Sequence, residues 1–96
     1  MLLYAYSLYD SKALTYSPPF YASAHGQAVR LVMDLASDGN TSVGRHPSDY
    51  TLFCVGQFND ALGVMLPADV REHISDVLPL VPRRNGALFE AAPDTP

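Results

Sequence analysis

The stretch that most constrains the fold is Met1 to Tyr9, where tyrosine and leucine predominate. In an extended strand Leu2, Tyr4, Tyr6 and Leu8 share one face, and Leu3, Ala5, Ser7 and Tyr9 the other. Apolar area on both faces favours a central strand. Asp10-Ser11-Lys12-Ala13 reads as a turn, returning Leu14-Thr15-Tyr16 as a short hairpin partner. Ser17-Pro18-Pro19 then stops the ladder, because neither proline has a backbone N–H to donate.

A helix follows. Ala24, Ala28, Leu31, Val32, Leu35 and Ala36 recur at helical spacing, with Gln27, Arg30 and Asp34 opposite them. Ser23 is the expected N-cap and Gly39 the expected left-handed C-cap. Gly26 in the first turn costs about 1 kcal/mol relative to alanine, which a wide apolar stripe can offset by packing. Asp38 to Ser48, polar with two glycines and a proline, reads as loop. Tyr50 to Phe58 is a second strand, with Tyr50, Leu52, Cys54 and Phe58 on one side and Thr51, Phe53, Val55 and Gln57 on the other. Asn59 to Gly63 makes a hairpin connection and Val64-Met65-Leu66 the returning strand. Pro67 suits a helix start, and Val70, Ile74, Val77 and Leu78 suggest a second short helix over Ala68 to Leu78, ended by Pro79 and Pro82.

The expected fold class is therefore α+β: a small antiparallel or mixed sheet of about four strands, one main helix on one face, and a short helix near the C-terminus. Residues 1–85 make a single domain, and 86–96 an acidic, proline-containing tail. Tyr9, Tyr16 and Phe53 are candidates for the sheet face away from the helix. An exposed apolar face calls for a ligand or a second chain, so a homodimer is expected.

Charge and composition narrow the function classes. Ten acidic against 6 basic residues leave a net charge of −4, the wrong sign for a protein held to nucleic acid by its overall field. No window approaches the unbroken apolar run of a membrane span, and the N-terminus, without basic residues, does not read as a signal peptide. The single cysteine, Cys54, precludes an internal disulfide and reads as a buried, inert thiol in a strand. His25, His46 and His73 fall in no nucleophile or metal motif, no glycine-rich phosphate loop follows a strand, and no cofactor is expected. His46 and Asp49 could be read as a base and its orienting carboxylate, but Ser-Asp after a proline more often forms a turn bonded to its own backbone.

The remaining signals concern binding. Basic groups sit mainly in irregular segments: Lys12 in the first turn, Arg45 and His46 before the second long strand, Arg83 and Arg84 after the last prolines. Gathered beside Tyr16 or another exposed ring, they would form a surface for single-stranded nucleic acid, cations meeting phosphates and rings stacking on bases. Read as ordinary solvated charges and core tyrosines, the same residues carry no function.

Two segments add a family resemblance. Leu8-Tyr9-Asp10-Ser11-Lys12-Ala13 continues into Tyr16-Ser17-Pro18-Pro19-Phe20, with Ala28 and Arg30 on the helix. Val43-Gly44-Arg45-His46-Pro47-Ser48-Asp49-Tyr50-Thr51-Leu52 continues into Val55-Gly56-Gln57-Phe58-Asn59-Asp60 and Gly63. The ordered set, covering roughly residues 1–66, resembles the small nonstructural protein of gokushovirus-type microviruses, tailless phages with circular single-stranded DNA genomes. The resemblance implies a noncatalytic DNA-binding protein in the host bacterial cytoplasm, assisting viral genome synthesis or packaging. It supplies no catalytic residues. The alternative is a module that docks on viral or host replication proteins without touching DNA. Gly56 reads as a bulge or a close backbone approach. Lys12, Arg45 and His46 lack a folding role and are the leading candidates for phosphate contact.

Overall fold

A computed structural model of the chain describes residues 1–82. The tail and the domain end at residue 85 thus lie outside the described residues, as do Arg83 and Arg84.

The expected central strand forms as β1, Leu2–Asp10. It is flanked on one side by the short strands β2, Thr15–Tyr16, and β3, Phe20–Ala22, and on the other by β4, Tyr50–Asn59. β4 in turn pairs with β5, Val64–Asp76, and every pairing is antiparallel. The prolines interrupt the ladder only briefly, since pairing to β1 resumes at Phe20 opposite Tyr6. The turn before β2 closes with Leu14 N–H donating to the Asp10 carbonyl at 2.8 Å. It holds Leu14 at φ 57°, a left-handed conformation costly for a residue with a Cβ.

One helix, α1, His25–Ala36, covers one sheet face. Ala28, Val32 and Ala36 bury their stripe against Tyr6, Leu8, Leu52 and Cys54, so the thiol does lie in the core. The caps differ from expectation. Ala24 is the N-cap residue, and Ser23, one place earlier, donates its N–H and hydroxyl to the Gln27 side-chain carbonyl at 3.0 and 2.7 Å. At the other end Ser37 closes the helix, its hydroxyl donating to the Met33 carbonyl at 2.8 Å, and Gly39 has no left-handed conformation.

The segment expected to be all loop contains a one-turn helix, α2, Ser42–Arg45, whose Thr41 cap accepts from Gly44 N–H at 2.9 Å. Gly44 is required there, because a Cβ would collide with the Asp38 carbonyl. A 3-10 turn over Pro47–Asp49 follows, closed by Asp49 N–H on the His46 carbonyl at 3.0 Å. His46 and Asp49 are thus bonded through their backbones, as the turn reading anticipates.

The expected second helix over Ala68 to Leu78 is a strand instead, as β5 runs unbroken to Asp76 and only Leu78–Leu80 makes a 3-10 turn. The helical spacing of Val70, Ile74 and Val77 is coincidental. Val70 is 79% exposed, whereas Ile74 packs on the core and Val77 is fully buried. The β4 ladder decides the outcome by supplying partners for Glu72, His73, Ser75 and Asp76 that no local pattern reveals. Pro67 is tolerated because β5 pairs on one side only.

Gly56 and Gly63 do what the sequence suggests. Gly63 completes the β4–β5 hairpin at φ 68°. Val55 is bulged out between Cys54, opposite Tyr6, and Gly56, opposite Ala5. The bulge reverses the faces beyond it, so Phe58, opposite Leu3, joins the side of Phe53, opposite Ser7. A strictly alternating reading puts those two rings on different faces.

Candidate functional site

Away from α1, the sheet carries a chain of rings. Tyr9 and Tyr16, cross-strand partners, have centroids 4.7 Å apart, and Tyr16 meets Phe53 edge-on at 5.9 Å. Phe53 then meets its own β5 partner, His73, at 5.9 Å. Across this chain lies the Arg71 guanidinium, 5.0 Å from the Phe53 centroid and 5.7 Å from that of Tyr16. A guanidinium over aromatic faces is held by the ring quadrupoles, with about 0.5–1 kcal/mol at exposed sites.

The backbone explains how Arg71 gets there. β4 advances two residues from Cys54 to Gly56 while β5 goes from Glu72 back to Pro67, leaving Ala68 to Arg71 outside the ladder. The excursion is rooted where β5 crosses Gly56. A Cβ on Gly56 would stand 2.5 Å from the Leu66 carbonyl oxygen and 3.2 Å from Pro67 Cα. The face expected to need a second chain is consequently covered in part by its own chain. Tyr9 and Phe53 are half-buried, and Tyr16 is 39% exposed.

Of the residues anticipated from sequence, Tyr16 stands at the centre of this cluster. Lys12 lies in the exposed turn, three residues before the start of β2. There the Asp10 carboxylate accepts the N–H groups of Lys12 at 2.9 Å and Ala13 at 3.2 Å. These bonds, Ala13's first, hold the Asp10 carboxyl below its usual range, helped by the Tyr50 hydroxyl and the nearby His46 charge. Ser11 N–H donates to the Asp49 carbonyl at 2.9 Å, tying the Lys12 turn to the turn after His46. The Lys12 backbone and the His46 side chain therefore both act on one carboxylate at the Tyr16 end of the sheet. Arg45 does not join them, because its guanidinium donates to the Gly39 carbonyl at 3.3 Å.

Arg71 and His73 were not anticipated, since the helical reading of that segment hid them. The available signal was the period-2 run of polar side chains at Arg71, His73 and Ser75. His73 is further fixed by Asp76, 3.1 Å from its Nε2.

A second polar cluster lies under α1. The fully buried Tyr6 places its hydroxyl 2.7 Å from His25 Nδ1, and Glu72 approaches His25 Nε2 at 3.8 Å. Burial foremost, with Cys54 nearby, pushes the Tyr6 phenol up to about 12. Tyr6 thus keeps its proton, and its hydroxyl shares one hydrogen bond with Nδ1 whose direction follows the imidazole tautomer. The Tyr4 ring lies 4.7 Å from the imidazole. This cluster pins the first residue of α1 to the sheet.

Fold and site together define a small α+β protein whose curled antiparallel sheet holds a helix on one face and an arginine-capped row of rings on the other. The sequence model of the phage ORF5 protein family matches residues 3–80, and the chain belongs to that family. No curated protein and no solved structure matches it. Among the described residues, no helix is long and apolar enough to cross a membrane.

Proposed function

We propose that this phage-family protein is a noncatalytic, nonstructural protein of a gokushovirus-type phage that binds single-stranded DNA. It works in the host cytoplasm during genome synthesis or packaging. The observation that carries the reading is Arg71 lying over both Phe53 and Tyr16, within a continuous row of rings on a sheet surface. Unpaired bases present π-faces that stack on such rings at about 1–3 kcal/mol per base, whatever their identity. Arg71 would turn from the rings to a phosphate, and Lys12, with His46 beside it, would follow the backbone past the Tyr16 end.

The net charge of −4 limits this to a few phosphate contacts. Two or three give a log–log salt slope of about −1.4 to −2.1 for a single strand. Fluorescence anisotropy with labelled oligo(dT) across a salt series tests the proposal. Binding should weaken along that shallow slope, and Arg71→Ala and Lys12→Ala should each reduce it by about 0.7. Tyr16→Ala should weaken binding at every salt concentration without changing the slope. Absence of binding at low salt refutes the proposal.

The excess of acidic over basic residues favours a second reading, docking on a viral or host replication protein through the same face. In that case the Tyr16 and Arg71 substitutions abolish capture of the protein partner and DNA has no effect.

A further inference from the structure

The opposite end of β1 presents a different surface. It is built by Leu2–Tyr4, by Phe20–Ala22 and by the β4–β5 hairpin from Gly56 to Ala68. Large apolar side chains there face solvent: Leu2, Tyr21, Leu62, Val64, Met65 and Leu66 are each at least 40% exposed, and Leu62 reaches 74%. Both faces take part. The register puts Phe58 and Met65 on one face with Leu3, and Val64 and Leu66 on the other with Leu2 and Tyr4. Tyr21 stiffens the first face, its ring 5.6 Å from Phe58 and its hydroxyl 3.8 Å from Met65 Sδ.

Charge selects the occupant. Met1 to Leu8, Thr15 to Ala24 and Gly56 to Ala68 contain one charged side chain, Asp60, and it is paired with the N-terminal ammonium at 2.9 Å. Two copies of a chain carrying −4 repel wherever a symmetric contact brings equal net charges together. This arm is where that repulsion is absent. A charged partner would be steered by complementary charge, and the arm offers no net charge, since Arg30 and Asp34, which border Tyr21 and Ala22, are of opposite sign. Contiguous apolar surface of this kind is uncommon on monomers.

We infer that the arm is the contact between two copies of this chain, joined about a two-fold axis with the ring-and-Arg71 faces at the outer ends. The inference is independent of what those faces bind, and it moves self-association from the aromatic face to the opposite end of the sheet.

Sedimentation velocity of the full chain, from micromolar to sub-millimolar concentration, tests it. The wild type should show a monomer–dimer equilibrium. Leu62→Asp and Met65→Asp each force a carboxylate into an apolar contact and should weaken it about 100-fold. Leu14→Asp and Leu78→Asp, at exposed apolar positions at the far end of the sheet, should leave it unchanged. Circular dichroism checks each fold, and Leu62, at the hairpin tip, can be charged without disturbing the core. A monomer throughout, a dimer that survives Leu62→Asp, or equal loss with Leu78→Asp overturns the inference.

Discussion

Replacing Gly56 with alanine should destabilise the protein far more than a single methyl group ordinarily does. The new Cβ would meet three backbone atoms of the crossing strand: Leu66 O at 2.5 Å, Pro67 Cα at 3.2 Å and Ala68 N at 3.3 Å. None of these can rotate away, so β5 must retreat about 1 Å to restore van der Waals separation. Overpacking of this sort costs about 1–3 kcal/mol, and a rigid backbone obstacle places Gly56→Ala in the upper half of that range. At about 4–8 °C per kcal/mol for a domain this small, Tm should fall by about 10–20 °C. Gly26→Ala is the matched control. Its Cβ meets nothing within 4 Å, and the residue lies in the first turn of α1, so Tm should stay level or rise by the equivalent of up to about 1 kcal/mol. Thermal melts followed by circular dichroism report both. A Gly56→Ala protein melting with the wild type would refute the close crossing, and with it the origin of the excursion that carries Arg71.

Three further outcomes follow from other parts of the structure. The Tyr6 phenol is raised from 10 to about 12, so the folded state holds that proton more tightly than the unfolded chain. Stability should therefore be complete below pH 10 and fall by about 2–3 kcal/mol between pH 10 and 12, a loss that urea titrations should find diminished in Tyr6→Phe. His25→Ala leaves the part-buried Tyr6 hydroxyl without its hydrogen-bond partner and should cost about 1–3 kcal/mol at neutral pH by the same titrations. Leu14→Gly relieves a left-handed residue that is 75% exposed and should raise stability by about 0.5–1 kcal/mol, the relief of strain exceeding glycine's entropy cost.

The parts of the fold legible in the sequence were those set by local pattern. β1, α1 and β4 announce themselves by periodicity, and Gly56 and Gly63 mark backbone positions that few other residues could fill. What escaped depends on partners distant in sequence. Val70, Ile74 and Val77 have helical spacing, and only the β4 ladder makes their segment a strand. β3 is three residues long and exists because β1 offers an edge beyond the proline interruption. The candidate site divides in the same way. Tyr16 is readable as a ring four residues after Lys12. Arg71 reaches it only because β5 crosses a glycine on another strand, information that a linear reading of residues 68–78 does not contain. Arg45 shows the converse: a cation free by sequence pattern is engaged by the Gly39 carbonyl once the loop folds.

The proposal is that the row of rings under Arg71 is the surface that meets DNA. Its most direct test is a titration of isotope-labelled protein with oligo(dT), followed residue by residue by NMR. Shifts should concentrate at Tyr9, Tyr16, Phe53, Arg71 and His73, extend to Lys12 and spare Leu62 to Leu66. Unmoved signals at Tyr16 and Arg71 with saturating DNA, or shifts confined to the hairpin arm, would contradict it.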